Sequence, residues 1–441
     1  MRRSGQLLPT FDDRAAFDWA RPPSPGATDP TPILEAVRSE GDAALRRLSA
    51  QYDECARGTL RVPEGRCREA LAGLDARRRA ALELARDTIA RVHEAQRRSE
   101  AVVEVRPGVR VWREFRPIGR VGIYAPGGRA AYPSSLLMAA VPARLAGCRE
   151  VVVCSPPGPT GEPARAVLAA AALAGVDELY AVGGAQAIGA LAYGTETIAR
   201  VDKIFGPGGA WVNAAKLAVF GVVAIDLPAG PSEVVVWADE TAGADRVAAE
   251  LVAQAEHGPD SRCALALSGA SEARLRELAD GVRSCAARRL EALPTTRGRD
   301  AAASLRRGAT VIAREERAVA RWIDEMAPEH LAILGRWPER RLALVSNAGA
   351  VFLGRYSPVA GGDYCTGTNH VLPTGGRARG AGGLDLDAFG RWMSVQRLNE
   401  QGLRELAPIV ETLAEWEGLP AHAAAVDAAS TGGAGYPAGN R

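Results

Sequence analysis

The sequence predicts an α/β protein with two incomplete Rossmann-like, doubly wound units and with helical segments at its N- and C-terminal ends. Three observations support this prediction. Short apolar runs alternate with alanine-rich helical stretches from residue 121 onward. The alternation resumes after a proline- and glycine-rich break at 227–231. Finally, 441 residues are enough for two or three domains of about 150 residues each.

The first series contains five short runs rich in valine, isoleucine and aromatic residues, which are the predicted strands. Helical patterns separate them at 134–146, 163–174, 186–193 and 210–219. Strands that alternate with helices of this length pair in parallel through crossover helices, which predicts a doubly wound sheet. The predicted strands are 121–124, 151–154, 179–182, 203–205 and 222–225.

A second series of predicted strands follows the break, at 233–237, 264–267, 309–312 and 350–353. Apolar spacing of three and four residues predicts helix after helix over 30–105 and a helical segment from 385 to 429. These patterns divide the chain into an N-terminal arm (1–29), a first α/β unit with the N-terminal helical segment (30–120 plus 232–380), a second α/β unit (121–231), a C-terminal helical segment (381–429) and a glycine-rich tail (430–441) predicted to be disordered.

Charge and composition favour a small-molecule partner. The chain has 54 basic and 52 acidic side chains, so it lacks the charge excess typical of proteins that bind nucleic acid or anionic membranes. It has no signal-peptide pattern and no apolar run of membrane-spanning length, which predicts a cytoplasmic protein. The seven cysteines include no C-x-x-C pair, so neither a disulfide framework nor a thiolate zinc site is expected.

Five histidines are the first candidates for chemistry. His93 lies in a polar run and is predicted to be a solvated helix residue. Gln254 and His257 are three residues apart at the end of a helical pattern, a spacing that can chelate a metal ion. The alternative for His257 is a helix-end residue that interacts only with the helix dipole.

Two further candidates lie at connections. Glu329 and His330 are adjacent and follow a proline, so they form a possible acid/base pair, although Glu-His dipeptides also occur by chance. Asp363 and His370 lie in a long polar, glycine-rich segment of the kind that often carries sites; a simple turn with a hydrogen-bonded histidine is the alternative. His422 follows a proline near a predicted helix start, where a surface role is equally simple.

Taken together, these residues suggest a metal site. Gln254, His257, Asp363 and His422 supply nitrogen and oxygen donors without a thiolate, a set that suits Zn²⁺ or a similar divalent ion at a catalytic site.

Glycine-rich turns follow three of the predicted strands. The turns are 126–128 after Tyr124, 183–184 before Gln186, and 206–209. Glycine lets backbone amides approach a phosphate at a helix start, which suggests a nucleotide. None of the turns has the full G-x-G-x-x-G or P-loop pattern, so tight turns without a ligand remain an alternative.

In this combination and order, the motifs resemble those of the histidinol dehydrogenase family, over about residues 30–428. The blocks that carry the resemblance are Arg116-Pro-Ile-Gly119, Tyr124-Ala-Pro-Gly-Gly128, Val182-Gly-Gly-Ala-Gln186, Asp202-Lys-Ile-Phe-Gly-Pro-Gly208, Ala229-Gly-Pro-Ser232-Glu-Val, Gln254-Ala-Glu-His257, Ala327-Pro-Glu-His330, Gly362-Asp363-Tyr, Asn369-His-Val-Leu-Pro373 and Glu417-Gly-Leu-Pro-Ala-His422.

The resemblance implies a zinc-dependent oxidation of L-histidinol to L-histidine, through histidinal, with two NAD⁺. It implies one Zn²⁺ per subunit, an acid/base pair and an NAD-binding role for 121–231. The implied zinc ligands are Gln254, His257, Asp363 and His422, which also face the substrate; the further substrate contacts are Ser232, His330, His370 and Glu417; the acid/base pair is Glu329 and His330; and the NAD⁺ contacts are Tyr124 and Gln186.

One position departs from the family pattern, because Gly209 stands where the family has asparagine and a contact to NAD⁺ is therefore missing. The resemblance also implies a homodimer in which 381–429 packs on the partner and delivers Glu417 and His422 in trans. Two alternatives stay open: a zinc dehydrogenase of another polar alcohol, and a metallohydrolase or non-catalytic metal-binding relative. Ser232, Glu417 and His422 favour histidinol over the first, while Tyr124 and Gln186 favour a dehydrogenase over the second.

Overall fold

The computed structural model describes residues 6–10, 28–53, 59–127, 131–228 and 230–431. Contacts within the chain define two compact units, the first comprising Met1–Gln96 with Ile118–Phe389 and the second comprising Arg97–Pro117 with Gly390–Arg441. No helix in these described ranges is both long enough and apolar enough to cross a lipid bilayer.

The described residues form two sets of secondary-structure elements. The strands are β1 (Arg61–Val62), β2 (Val103–Arg106), β3 (Val109–Pro117), β4 (Arg120–Tyr124), β5 (Glu150–Ser155), β6 (Glu178–Ala181), β7 (Lys203–Phe205), β8 (Ala224–Ile225), β9 (Glu233–Ala238), β10 (Arg262–Ser268), β11 (Ala309–Ala313), β12 (His330–Ile333), β13 (Ala350–Leu353) and β14 (Gly390–Leu398). The helices are α1 (Thr31–Glu40), α2 (Asp42–Tyr52), α3 (Glu64–Ala72), α4 (Ala76–Glu94), α5 (Pro133–Ala146), α6 (Arg165–Leu173), α7 (Gly184–Tyr193), α8 (Ala210–Val219), α9 (Ala244–Ala255), α10 (Glu272–Glu291), α11 (Thr295–Arg307), α12 (Glu316–Met326), α13 (Pro338–Leu342), α14 (Val359–Tyr364), α15 (Glu400–Trp416) and α16 (Pro420–Thr431).

The first sheet of unit 1 has the strand order β1-β6-β5-β4-β7-β8 and is parallel except for β1. All five strands predicted over 121–225 are present, and α5 to α8 are the predicted helices. The chain runs outward from β4 to β6 and then returns to β7 on the other side of β4. This reversal creates a crevice at the carboxyl ends of β4 and β7, where parallel sheets usually bind ligands.

The second sheet of unit 1 has the order β11-β10-β9-β12-β13 and is parallel throughout. Its strands β9, β10, β11 and β13 match the prediction, and the α/β fold class is confirmed. The sequence analysis missed β12, which lies beside β9 and begins at His330. The sequence analysis interpreted Glu329 and His330 as part of a connection after Pro328, and the four-residue strand that begins there was therefore overlooked.

The helices of the N-terminal segment pack on the first sheet rather than the second. Helix α1 contacts α7, α3 contacts α6 and α4 contacts α5, while β1 pairs with β6. The prediction grouped 30–120 with 232–380, so these contacts differ from it. Amphipathic spacing identifies an apolar face but not the surface that covers it. Of the predicted arm, residues 6–10 lie along β11, where Leu8 is buried; most of the rest lies outside the described residues.

Unit 2 combines a three-stranded antiparallel sheet, in the order β14-β3-β2, with α15 and α16. The all-helical prediction for 381–429 is therefore wrong over Gly390–Leu398, and so is helix over Val103–Arg106. Strand β14 pairs with all nine residues of β3, and its Trp392 packs edge-on against Phe115. Because of these cross-strand contacts, Gly390–Leu398 forms a strand rather than a helix. Helix α16 ends at Thr431, and the predicted disordered tail beyond it lies outside the described residues.

Candidate active site

Glu329 and His330 lie where α12 turns into β12. Helix α12 ends at Met326, and its C-cap residue Ala327 has a left-handed φ of 44°, which is uncommon for a residue other than glycine. The carbonyl groups of Pro328 and Glu329 then accept hydrogen bonds from the N–H groups of Gly349 and Ala350, at 2.9 Å each. Both candidate side chains are buried. The connection predicted from sequence is therefore a rigid turn into a buried strand.

The peptide groups of Glu233, the first residue of β9, hold both side chains of the pair. Its N–H donates to Glu329 Oε2 at 2.8 Å, and its carbonyl accepts from His330 Nδ1 at 3.1 Å. A carbonyl only accepts, so Nδ1 carries the proton of the neutral ring and Nε2 has a free lone pair. His330 Nε2 is 3.8 Å from Asp363 Oδ1. The unprotonated Nε2 of the imidazole is therefore the ring nitrogen nearer to Asp363.

Burial shifts the ionisation of this pair in opposite directions. It raises the pKa of Glu329 well above its ordinary value, and the nearby carboxyls of Glu233 and Asp363 raise it further. It lowers the pKa of His330 to about 4, with His370 and His257 adding to the effect. At neutral pH His330 is consequently an uncharged proton acceptor. Glu329 favours its protonated form until a positive charge enters the site.

The Glu233 side chain is a site group that sequence reasoning missed. It is 1% exposed; Oε1 accepts from Arg262 Nη1 at 3.3 Å and from the Gly375 N–H at 3.0 Å. Oε2 has no hydrogen-bond partner among the described residues. Burial raises the pKa of Glu233 to about 7. A charged residue at the start of the run Val234-Val-Val-Trp237 was the available signal.

Three of the predicted metal-binding residues belong to unit 1. Gln254 lies in the last turn of α9, is 4% exposed, and has no hydrogen-bond partner for Nε2 among the described residues. His257 follows in the next turn, where its ring stays accessible while the surrounding protein lowers its pKa. Burial and the nearby Glu250 raise the pKa of Asp363 to about 6. A carboxyl oxygen, an amide oxygen and an imidazole nitrogen are a donor set that fits a divalent cation.

The fourth predicted ligand, His422, belongs to unit 2, as does Glu417. Glu417 follows α15 and His422 lies in the first turn of α16; both are exposed. Within the described ranges, no group of three or more His, Cys, Asp or Glu side chains is arranged to hold a metal ion. The complete four-residue ligand set therefore stays a prediction.

His370 is hydrogen-bonded to Asp363, and Ser232 precedes Glu233, so both are next to residues that contact Glu329 or His330. The His370 Nδ1 donates to the Asp363 carbonyl at 2.9 Å, so its Nε2 accepts from Ser135 Oγ at 3.1 Å. Burial lowers the pKa of His370. Ser232 immediately precedes Glu233, and its carbonyl accepts from the Arg262 N–H at 2.9 Å. Ser135, at the start of α5, was not predicted; no motif distinguishes it in the sequence.

The prediction for His93 is wrong, because this residue is 0% exposed rather than solvated. Its Nδ1 donates to the Ile89 carbonyl at 2.8 Å, and its Nε2 contacts Asn369 Nδ2 at 3.3 Å. Asn369 directly precedes His370. His93 is therefore a structural support for the His370 segment, and the polar residues around it in sequence lie on the other faces of α4.

The two residues predicted to bind NAD⁺ lie together at the end of the first sheet. Tyr124 ends β4, and its Oη accepts from the Gly184 N–H at 3.2 Å. Burial raises the Tyr124 pKa to about 12, so the hydroxyl keeps its own proton to donate. Gln186 is 2% exposed, and its Nε2 has no hydrogen-bond partner in the described part of the chain. These groups and the start of α7 fit a phosphate-containing ligand.

Gly209 is the N-cap of α8, with φ of −66° and no atom within 4 Å of the position that a Cβ would occupy. Any residue can adopt this backbone conformation, so the asparagine of the family pattern would fit. The preceding loop is held by buried Lys216, whose Nζ donates to the Gly206 carbonyl at 2.9 Å and to Asp226. Nothing in the structure explains the glycine.

The fold and this site define an α/β protein with a buried carboxyl–imidazole pair, the type of pair with which enzymes move protons at hydroxyl and carbonyl groups. Residues 27–429 match the model of the histidinol dehydrogenase family. The chain therefore belongs to the histidinol dehydrogenase family, which comprises oxidoreductases.

Individual relatives agree. The chain is 46% identical to the histidinol dehydrogenase of Vibrio vulnificus (strain YJ016) over 397 residues, which cover 89% of each chain. It is 45% identical to that of Methanothermobacter thermautotrophicus over 392 residues, covering 89% of this chain and 90% of the relative. The crystal structure of histidinol dehydrogenase from Elizabethkingia anophelis superimposes with a TM-score of 0.89 at 35% identity, covering 96% of this chain and 98% of that one.

The raised pKa of Glu329 predicts how Glu329→Gln changes stability. A carboxyl whose pKa is higher in the folded state than in the unfolded state stabilises the fold at low pH. That contribution is lost as the pH rises above the pKa of the unfolded state, about 4.3. Glutamine does not titrate, so without added metal the melting temperature of the variant relative to the wild type should increase from pH 5 to pH 8. Glu325→Gln, an exposed position on α12, is the matched control and should show little change. If the melting temperature of Glu329→Gln differed from that of the wild type by the same amount at every pH, the raised pKa of Glu329 would be contradicted.

Proposed function

We propose that this chain oxidises L-histidinol to L-histidine through histidinal, with two NAD⁺ as hydride acceptors and one Zn²⁺ per subunit. The observation that carries the proposal is the buried Glu329–His330 pair, held by the peptide groups of Glu233 in a chain of this family. Burial leaves His330 uncharged, the state that a general base requires. As a biosynthetic enzyme, the protein is expected in the cytoplasm.

In the first oxidation, His330 Nε2 takes the proton of the substrate hydroxyl, while the carbon that bears this hydroxyl transfers a hydride to NAD⁺. One C–H and one O–H bond break and the aldehyde forms. The neutral ring can accept this proton because Nδ1 already carries one and donates it to the Glu233 carbonyl. The resulting imidazolium keeps that hydrogen bond and gains the nearby carboxylate of Asp363.

In the second oxidation, Glu329 removes a proton from water as the water oxygen adds to the aldehyde carbon. The hydrate then loses a second hydride to NAD⁺ and a proton to His330, which yields the carboxylic acid. Glu329 must be ionised for this step. Its hydrogen bond from the Glu233 N–H favours the carboxylate, whereas burial opposes it. Positive charge in the occupied site would shift the balance toward the carboxylate.

Gln254, His257 and Asp363, with His422, would hold the zinc ion. Zinc at this position would supply a Lewis acid and a template for the amine and imidazole of the substrate. The raised pKa of Asp363 supports this assignment, because a cation would favour its carboxylate form. Ser232, His370 and Glu417 are the proposed further substrate contacts.

Tyr124 and Gln186 are the proposed contacts of NAD⁺. The Tyr124 hydroxyl accepts from Gly184 and can donate its own proton to a phosphate oxygen. Gln186 Nε2 is a second unused donor. Gly209 lacks the side-chain amide of the family pattern, and its open surroundings are consistent with a weaker NAD⁺ contact there.

The function is tested by counting NADH against histidinol consumed. We expect two NADH per histidinol, loss of activity after chelation and its return with Zn²⁺. Lys203→Arg, far in sequence from the proposed ligands, is a control that should keep the stoichiometry. One NADH per histidinol with release of histidinal would contradict the second oxidation, and full activity of metal-free His257→Ala protein would remove the metal from the mechanism.

We also propose that the site is completed across a homodimer, with Glu417 and His422 supplied by the partner. Both residues are exposed within unit 2, at the junction of α15 and α16. Helix α15 leaves apolar side chains uncovered, including Leu413 at 49% and Trp416 at 85% exposure. An apolar surface next to two unsatisfied ligand-type residues favours burial against a second copy.

Mixing two inactive variants tests this arrangement. His257→Ala and His422→Ala chains, unfolded and refolded together, should regain activity because half of the dimers are mixed and each mixed dimer has one intact site. About a quarter of the wild-type activity is expected for random exchange. Separately refolded variants serve as controls. If mixed dimers form but stay inactive, all ligands come from one chain.

A further inference from the structure

The acidic residue Asp53, at the end of α2, lies over the start of α7. Its Oδ1 is 3.2 Å from the position that a Cβ on Gly183 would occupy, and Gly183 is the N-cap of α7. The charge of Asp53 also contributes to the raised pKa of Tyr124. The carboxyl therefore lies beside the Tyr124 hydroxyl and the first peptides of α7.

The Asp53 carboxyl is left without a full set of partners. Its Oδ2 is shielded from solvent and has no hydrogen-bond partner among the described residues. Burial raises the Asp53 pKa although the neighbouring Ser49 hydroxyl opposes the shift. A partly buried carboxyl in this state is costly unless a ligand supplies donors.

Two fully buried polar side chains nearby lack partners as well. Ser155 ends β5 and is completely buried, and its Oγ has no partner in the described part of the chain. The Gln186 amide folds back over Gly184, with Oε1 2.5 Å from where a Cβ of Gly184 would lie, and leaves Nε2 unused. Unpaired polar atoms thus occur at the end of β5 and after β6, the two strands that follow β4 in the first sheet.

This combination of groups selects a chemical class of ligand. A carboxylate binds a ribose diol, whose two hydroxyls both donate, and it repels phosphate. The start of α7, Gln186 Nε2 and the Tyr124 hydroxyl supply donors for a phosphate next to that ribose. Asp53 lies at the start of α7 beside the first sheet, whereas Glu329 and His330 lie at the start of β12 in the second sheet. The position of the carboxyl therefore suits the adenosine half of the cofactor.

We propose that Asp53 accepts hydrogen bonds from the adenosine ribose of NAD⁺ and excludes the 2′-phosphate of NADP⁺. Asp53 is thus the residue that determines cofactor specificity. This inference rests on the proposed use of NAD⁺, and it adds a contact that no sequence motif indicated.

Binding measurements on the full-length protein, by calorimetry with NAD⁺ and NADP⁺ separately, test the inference. Asp53→Asn should weaken NAD⁺ binding about tenfold, because a hydrogen bond to a charged group is lost. The ratio of the dissociation constants for NADP⁺ and NAD⁺ should fall by at least about tenfold. Asp53→Glu keeps the charge but displaces it, so it should bind NAD⁺ more weakly while still rejecting NADP⁺. Asp87→Asn, an exposed position on α4, should change neither affinity.

The outcomes separate the two proposals. If the wild type does not bind NAD⁺, the proposed function fails and this inference fails with it. If the wild type binds NAD⁺ and Asp53→Asn keeps both the affinity and the preference, only the role of Asp53 is overturned. The same holds if the wild type binds NADP⁺ as tightly as NAD⁺. Melting temperatures of the variants without ligand identify any loss of folding, and Asp53→Glu then provides the decisive comparison.

Discussion

The parallel pairing of β9 with β12 is the constraint on which the active site depends. It sets His330 in register with Val234, so that the peptide groups of the preceding Glu233 face the acid/base pair. One N–H and one carbonyl then hold Glu329 and His330. Backbone groups of a buried strand cannot rotate away, so this arrangement fixes the ring tautomer and the carboxyl position together.

The charge balance of the site follows from its burial. Three carboxyl groups have raised pKa values and three imidazoles have lowered ones, so burial disfavours the charged form of each of the six groups. A divalent cation would stabilise the carboxylates and find neutral imidazole ligands already available. The electrostatics therefore support the proposed metal independently of any ligand geometry. The groups are Glu233, Glu329, Asp363, His257, His330 and His370.

Features that depend on local pattern could be predicted from the sequence. The alternation of apolar runs and helices identified nine strands of the two large sheets, and the spacing of Gln254 and His257 identified a helix end. Adjacency suggested Glu329 and His330 as a possible acid/base pair and the family resemblance implied it; the structure shows both side chains buried and hydrogen-bonded to the peptide groups of Glu233.

Features that depend on contacts with residues distant in sequence could not be predicted from the sequence. Strand β12 is defined by β9 and β13 on its two sides, and β14 by its nine-residue pairing with β3. His93 is buried because the segment around Asn369, far along the chain, covers it. Asp53 shows no motif, since only folding brings it to Gly183. In each case the deciding contact joins residues remote in sequence.

The protonation of the His330 ring tests the central claim most directly. Nitrogen chemical shifts of ¹⁵N-histidine-labelled protein without added metal distinguish the two neutral tautomers from the imidazolium, and His330→Gln identifies the signal. The account predicts a neutral ring with the proton on Nδ1 from pH 6 to pH 8, because the Glu233 carbonyl accepts that proton and burial lowers the pKa to about 4. A proton on Nε2, or a charged ring at pH 7, would contradict it.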